Sequence, residues 1–369
     1  MAISSVFRPA SYDDLAGWAE DDHVAALAAF ARSAHRVLEK PYRSGSLGID
    51  CAAFDPAFAE ARGLGDASTE AARDFFERHF VPYLVTPSDE AGHGFVTGFY
   101  EPDAIASPVR TATCRFPLYA RPDDLVDIDD TNRPDGLDPY LAFGRKTTSG
   151  PVEYHDRAAI EQGALAGRGL EIAWLEDPVD VFFIHVQGAA RLRMTDGSLR
   201  RVTYAAKSGQ RFSGPGRILA DLGEIPLEQV TMQSIRAWFA AHPERVNEIL
   251  WRNRSFIFFR DAPVDEPALG PIAAAKVPLT AGRSMAVDRL LHTFGTPFFV
   301  DAPTLAAFGG GPFRRLMIAQ DTGSAIVGPA RGDLFTGSGA AAGEIAGVIK
   351  HPADFFVLLP KPLLAGMPR

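Results

Sequence analysis

From Ser11 to about Phe80, apolar residues recur at steps of three and four: Leu15, Trp18, Val24, Leu27, Phe30, Ala31, Ala34 and Val37, then again between Glu70 and Phe80. That spacing gathers them on one stripe of a helix, so this part of the chain reads as helical. Past Phe80 the period changes. Short runs rich in β-branched and aromatic residues, among them Val181–Val186 and Arg200–Ala205, alternate with Gly, Pro and Asp up to about Arg217. This is the texture of a β-barrel or sandwich. Helical spacing returns between Pro226 and Trp251 on Val230, Ile235, Trp238, Phe239, Val246 and Leu250, with a break at Pro243. Strand-like runs then follow at Ser255–Phe259, Met285–Val287, Pro297–Val300, Leu316–Ala319 and Asp354–Leu359. The pattern predicts a mainly β fold with flanking helices, in the order helices, β-domain, helices, second β-domain. There is no internal repeat and no low-complexity segment.

A chain of 369 residues exceeds what one hydrophobic core usually fills, which favours two domains. Its 46% hydrophobic and 22% charged content is that of an ordinary globular protein. No run reaches the apolar length of a membrane span. The start, MAISSVFRPASYDD, lacks the basic-then-apolar layout of an export signal, as expected of a cytoplasmic protein or one whose leader has been removed. Cys51 and Cys114 fit no metal spacing and are read either as two buried thiols or as one disulfide.

The net charge of -9 argues against a nucleic-acid-binding protein. One segment departs from that balance: Arg191, Arg193, Arg200, Arg201, Lys207, Arg211 and Arg217 face a single acid, Asp196. It is either a solvated sheet face or a surface for a carboxylate-bearing ligand.

Candidate chemistry narrows by elimination. The nine histidines show no His-Glu-x-x-His and no paired spacing with cysteine or carboxylate, so no metal is expected. Gly309–Phe313 is glycine-rich but lacks the lysine and the helix of a phosphate loop, and reads as a turn. No Gly-x-Ser-x-Gly elbow is present. The stretch AQDTGSAIVG, from Ala319 to Gly328, looks like an aspartic-protease motif, yet its near match, Asp130-Thr131-Asn132, follows no apolar strand, and one carboxyl does not make a dyad. What remains is carboxylate chemistry on Asp288, Asp321 and Asp333, each at the end of a strand-like run beside a turn. Any one of these could be a turn aspartate that accepts neighbouring N–H groups. Partly stripped of water near one another, such groups hold a proton near neutral pH and can act as a general acid.

Eight motifs, in this order, resemble the membrane-bound lytic murein transglycosylase A family, whose C-terminal part is named the 3D domain for three aspartates. They are Gly98-Phe-Tyr-Glu-Pro102, Val186-Gln-Gly-Ala189, Tyr204-Ala-Ala-Lys207, Ser255-Phe-Ile-Phe-Phe259, Val277-Pro-Leu-Thr280, Arg283-Ser-Met-Ala-Val-Asp288, Met317–Ile326 and Gly343-Glu-Ile-Ala-Gly347. The resemblance spans about Phe95 to Pro360. It implies a double-psi β-barrel domain formed by residues 1–103 and 241–369, with the 3D domain at about 275–360, and a smaller β-barrel domain inserted at 104–240. The substrate groove would lie between them. It also implies cleavage of the β-1,4 bond between N-acetylmuramic acid and N-acetylglucosamine of peptidoglycan without water, leaving a 1,6-anhydromuramoyl end.

In that family the single catalytic aspartate falls on Asp321, with Asp288 and Asp333 as supporting residues. Thr97, Tyr100, Gln187, Gly188 and Lys207 fall in stretches like its substrate-binding walls. The resemblance implies no cofactor, a monomer acting on peptidoglycan glycan strands, partners among cell-wall synthesis or division proteins, and a periplasmic, outer-membrane-associated location. The basic segment would then face peptide-stem carboxylates. This chain departs from the family pattern in having Ser324 where a second glycine is common, and Ala206 and Ser208 in the Tyr-Ala-Gly-Lys-Asn stretch. Two other readings share these residues: a module that binds peptidoglycan without cutting it, and a glycan hydrolase that uses water.

Overall fold

The structure, a computed structural model, describes residues 3–87 and 93–365. The chain divides into two compact units, one formed by Met1–Tyr100 with Val264–Arg369 and the other by Glu101–Pro263. The sequence-based return point at 241 lies inside the second unit, because the helices Met232–Ala241 and Val246–Leu250 pack with the helices Pro178–Gln187 and Pro215–Asp221 around Phe182, Phe239 and Ile249.

The first unit holds strands β1 (Phe7–Pro9), β2 (Phe80–Val85) and β3 (Gly94–Glu101). The second carries β4 (Asp103–Ser107), β5 (Phe116–Tyr119), β6 (Leu125–Asp127), β7 (Phe143–Arg145), β8 (Glu171–Leu175), β9 (Ala189–Met194), β10 (Leu199–Lys207) and β11 (Ile257–Asp261). The first unit resumes with β12 (Ser284–Ala286), β13 (Pro297–Ala302), β14 (Phe313–Asp321), β15 (Arg331–Ser338) and β16 (Lys350–Pro360). Its sheet runs β1-β2-β16-β13-β14-β12-β15-β3, and β3 pairs back onto β16. Six strands from β16 round to β3 therefore close on themselves, which leaves no open edge within the ring. In the second unit the order is β11-β10-β9-β4-β8-β5, and a bridge between Ala120 and Phe259 joins its two ends.

The helix His23–Arg36 shows why the N-terminal spacing is helical. Asp22 caps it by accepting the Ala25 N–H at 3.0 Å, and Leu27, Phe30 and Ala34 point inward. Phe30 meets Phe58, Phe75, Phe76 and Phe80 at ring separations of 5.1–6.0 Å, in tilted and edge-on arrangements that add to the value of their burial. The same helix lies against β14. There the buried Gln320 side chain donates to the Ala29 carbonyl at 2.7 Å and to Ser33 Oγ at 2.9 Å, while Ser284 Oγ donates to Gln320 Oε1 at 2.6 Å. One amide thus ties the end of β14 to the helix and to β12. Near the middle of β14, the buried Arg283 donates both guanidinium arms to Asp21 at 2.8 Å, and Asp21 also accepts the Leu316 N–H at 2.7 Å. A bidentate pair whose remaining positions are also bonded can offset the cost of burying two charges.

One expectation is overturned. Val181–Val186 is not a strand but part of the helix Pro178–Gln187. Val179, Val181, Phe182, Phe183, Ile184 and His185 are all buried, so buried positions occur around most of the helix and blur any 3.6-residue stripe. The run of β-branched and aromatic residues then reads as strand by propensity alone. The signal lay at its ends: Asp177 accepts the Val179 N–H at 2.7 Å, Pro178 opens the first turn, and Gly188 closes it at φ 75°. Cys51 and Cys114 are both free and buried.

Replacing Gln320 by Ala strands Ser284 and Ser33 without their partner inside the core. We expect a loss of about 2 kcal/mol, within the range for orphaning buried polar groups, read as a lower urea midpoint at unchanged slope. An unchanged midpoint would remove Gln320 as the anchor.

Candidate active site

β12 lies between β14 and β15, and its residue Ala286 is registered with Asp321 on one side and with Asp333 on the other. The β14 register slips between its partners Met285 and Ala286, pairing Ala319 and then Asp321, so Gln320 is the extra residue. A bulge of this kind re-aims side chains at the rim of a barrel. Here the chain meets two demands at once: Gln320 turns inward to its three partners, and Asp321 closes the strand beside Asp333. The small Ala286 separates them.

Asp321 keeps part of its surface accessible, while protein closely surrounds its carboxyl. That loss of water is the main cause raising its pKa from 3.8 to about 6; the Asp333 carboxyl raises it further, and N–H groups of Thr322 and Ala274, with the Lys276 charge, pull the other way. The Ala274 N–H donates to Asp321 Oδ1 at 3.1 Å. Asp333 is also raised by burial, against the Thr97 hydroxyl and the Arg331 charge. Thr97 Oγ1 donates to Asp333 Oδ1 at 2.5 Å and accepts from Arg331 Nη2 at 2.7 Å. Arg331, which the sequence reading missed, thus reaches Asp333 through Thr97 as well as through its charge. Its position two residues before Asp333 on one strand gives the same facing, a signal available from period-2 alternation.

Asp288 does a different job. Its Oδ1 accepts the Leu290 N–H at 3.1 Å and its Oδ2 the Gly328 N–H at 3.0 Å, which pins the loop that follows Asp321. Thr322 adds a second tie by donating to the Val287 carbonyl at 2.8 Å. Tyr100, on β3, is buried, and its ring lies where a Cβ on Gly343 would come within 2.9 Å, so the glycine is what admits it.

The remaining sequence candidates belong to the second unit. Gln187 ends the helix Pro178–Gln187, and Gly188 accepts the Tyr204 N–H at 2.7 Å. Lys207 closes β10 with its ammonium 4.9 Å from the centre of the Tyr140 ring, which Arg211 also covers at 4.0 Å. Tyr140 escaped the sequence reading because it sits in a turn-rich stretch with no periodic pattern.

The basic segment is largely neutralised. Arg191 and Arg193 pair with Asp103, Arg200 with Asp261, Arg201 with Glu101 and Arg217 with Asp221, at 2.6–2.9 Å. The Arg211–Asp138 contact is longer, at 3.4 Å. All of these acids but Asp221 come from distant parts of the sequence, so a count along the segment exaggerates its positive charge.

The raised pKa gives a stability prediction. Between about pH 4 and 6 the folded state holds a proton on Asp321 that the unfolded chain has released, so this residue costs stability as pH rises through that window and the cost is complete above it. Asp321→Asn, which keeps an acceptor for the Ala274 N–H, is expected to be more stable than the parent by about 2 kcal/mol at pH 8 and nearly equal at pH 3.5. Equal denaturant midpoints at both pH values would contradict this.

Residues 95–260 match the MltA specific insert domain and residues 283–359 the 3D domain. Membrane-bound lytic murein transglycosylase A of Escherichia coli K12 is 32% identical over 281 residues, covering 74% of this chain and 68% of that protein. The crystal structure of a membrane-bound lytic murein transglycosylase from Agrobacterium tumefaciens is 52% identical and superposes with a TM-score of 0.90 over 96% of this chain and 98% of the other. Escherichia coli MltA with bound chitohexaose superposes with a TM-score of 0.64 at 27% identity, over 90% of this chain and 89% of that one. No helix among the described residues is long and apolar enough to cross a membrane. With the paired domains, the ordered motifs and these relatives in agreement, the chain belongs to the membrane-bound lytic murein transglycosylase A family.

Proposed function

We propose that this protein is a lytic transglycosylase that cleaves the β-1,4 bond between N-acetylmuramic acid and N-acetylglucosamine in peptidoglycan, releasing 1,6-anhydromuropeptides. The observation that carries this reading is Asp321, a partly accessible carboxyl whose pKa of about 6 lets it hold a proton near neutral pH and yet part with it. Protonated Asp321 donates to the glycosidic oxygen as the C1–O bond breaks, and the bonding electron pair leaves with that oxygen as the N-acetylglucosamine 4-hydroxyl. The muramoyl C6 oxygen then bonds to C1, and its proton passes to the Asp321 carboxylate. The acid is restored, no water is consumed, and the product is lighter than a hydrolysis product by one water.

Ordinary glycosidases place a second carboxyl to activate water or to attack C1. The nearby candidate, Asp333, already accepts the Thr97 hydroxyl. An attacking hydroxyl on the same sugar needs no such partner, since its effective concentration is already high.

In this reading Asp321 is the catalytic residue, Asp333 and Asp288 support it, and Thr97, Tyr100, Gln187, Gly188 and Lys207 contact the glycan. The closed six-strand ring, with its parallel β12–β14 pair, supports a double-psi barrel for the first unit, and the second unit would be the inserted β-barrel domain. The chitohexaose bound by the Escherichia coli relative supports a β-1,4 glycan as the ligand. We place the protein in the periplasm beside the outer membrane, as a monomer acting on glycan strands.

Asp321→Asn is expected to keep binding to purified sacculi while anhydromuropeptide release falls at least a thousandfold, as expected when an essential acid is lost. Mass spectrometry of the parent's products separates the readings: reducing-end products identify a hydrolase, and binding with no soluble product identifies a binding module. Either result, or full activity in the Asn variant, overturns the proposal.

A further inference from the structure

A cavity of about 760 Å³ opens in the first unit beside the start of the helix His23–Arg36, within the size range of small-molecule sites. It stands apart from the carboxylate site. Arg315, in its wall, precedes Asp321 by six residues on β14, about 20 Å at the rise of an extended strand. Charges of both signs line the cavity: Glu20, Asp21 and Asp22 before the helix, and Arg283, Arg314 and Arg315 on or beside β14. Two of the arginines are already matched, Arg283 to Asp21 at 2.8 Å and Arg314 to Asp301 at 3.1 Å. That leaves Arg315, Glu20 and Asp22.

Arg315 forms no ion pair among the described residues; its Nη2 donates to the Phe308 carbonyl at 3.4 Å. Its Cζ lies 5.1 Å from the centre of the Phe308 ring and 5.3 Å from that of Phe313. Gly282, at φ 66°, makes the room: a Cβ there would come within 2.5 Å of Arg315 Nη1. A guanidinium held by rings and not by a carboxylate keeps donors for a ligand. On the acidic side, Asp22 gives Oδ1 to the Ala25 N–H at 3.0 Å, and its second oxygen has no partner among the described residues. Glu20 is exposed and makes no hydrogen bond among them.

We propose that this cavity binds an amino-acid zwitterion, its carboxylate on Arg315 and its ammonium against Glu20 and Asp22. A simple anion would meet two carboxylates and a simple cation the guanidinium, whereas a zwitterion answers both signs. A free amino acid has this chemistry. So does a peptide stem in which a diamino diacid leaves one amino and one carboxyl group free on the same carbon. The stem as source rests on the peptidoglycan reading above; the site itself does not.

Calorimetric titration of the full chain with meso-diaminopimelate tests the site, with pimelate and cadaverine as probes of one sign each. Both are expected to bind at least about tenfold more weakly than diaminopimelate, and Glu20→Gln and Arg315→Gln each to weaken diaminopimelate by about tenfold, as charge-assisted bonds are lost. Turnover of a stem-free oligosaccharide should be unchanged in both variants. Glu20 is exposed, so its variant keeps the test open should Arg315→Gln fail to fold. No binding of diaminopimelate, equal binding of pimelate or cadaverine, or parent-like affinity in either folded variant overturns the proposal. A soluble muropeptide ending in diaminopimelate that binds as tightly as the free compound makes the stem the source; binding of the free compound alone makes it a free amino acid. Asp321→Asn should bind diaminopimelate as the parent does. Full activity in that variant would remove the catalytic reading and leave this binding result standing.

Discussion

A carboxyl that must exchange its proton near neutral pH has to be taken out of water without being locked to a cation. The end of β14 meets that constraint. Burial pushes the Asp321 pKa up to about 6, and only main-chain N–H groups and a cation two residues beyond the bonded Ala274 restrain it. The buried Asp21 and Arg283 show the other outcome: both arms of the guanidinium are bound to the carboxylate, a neutralised structural pair against the middle of the same strand. Two aspartates in one barrel thus take opposite roles because of what faces them, and residue type alone does not separate them.

The side chain next to Asp321 carries much of the positioning. Gln320 is fully buried and spends its three hydrogen bonds on the N-terminal helix and on β12. The register slip that turns Gln320 inward also ends the strand on Asp321 beside Ala286. The N-terminal helices, which contribute little to the family motifs, therefore have a direct physical link to the site. They hold the residue adjacent to the acid, and Phe30 with its ring of phenylalanines holds the helix.

Much of this was legible in the residues. The helix over His23–Arg36 followed from its apolar stripe, and the strands β10, β13, β14 and β16 from short apolar runs rich in β-branched and aromatic residues, of which β13 and the second half of β16 are buried on both faces. The helix Pro178–Gln187 was misread because burial on all sides erases the stripe, and its Asp-Pro opening and Gly188 stop carried the only local signal. The three aspartates stood out as strand-end carboxylates, yet nothing local distinguished the loop tie of Asp288 from the burial of Asp321. That distinction needs Gly328 and Leu290 brought to one and Ala274 to the other. Likewise the basic segment could not be discounted from its own letters, since Asp103, Glu101 and Asp261 reach it from other strands.

The pairing of those arginines bears on how the enzyme would hold its polymer. A broad cationic face would bind an anionic wall tightly and without register, and its strength would fall steeply with salt. With most of its arginines matched to acids, the second unit offers localised charge instead: Lys207 and Arg211 beside the Tyr140 ring, with a loose contact from Asp138. Specific hydrogen bonds and ring contacts, more than net attraction, would then set where a glycan strand rests. A single carboxyl that must meet one glycosidic oxygen along a repeating polymer depends on register of that kind, because displacement by one sugar presents the bond of the opposite sequence, whose C1 sugar has no lactyl ether at its C3 oxygen.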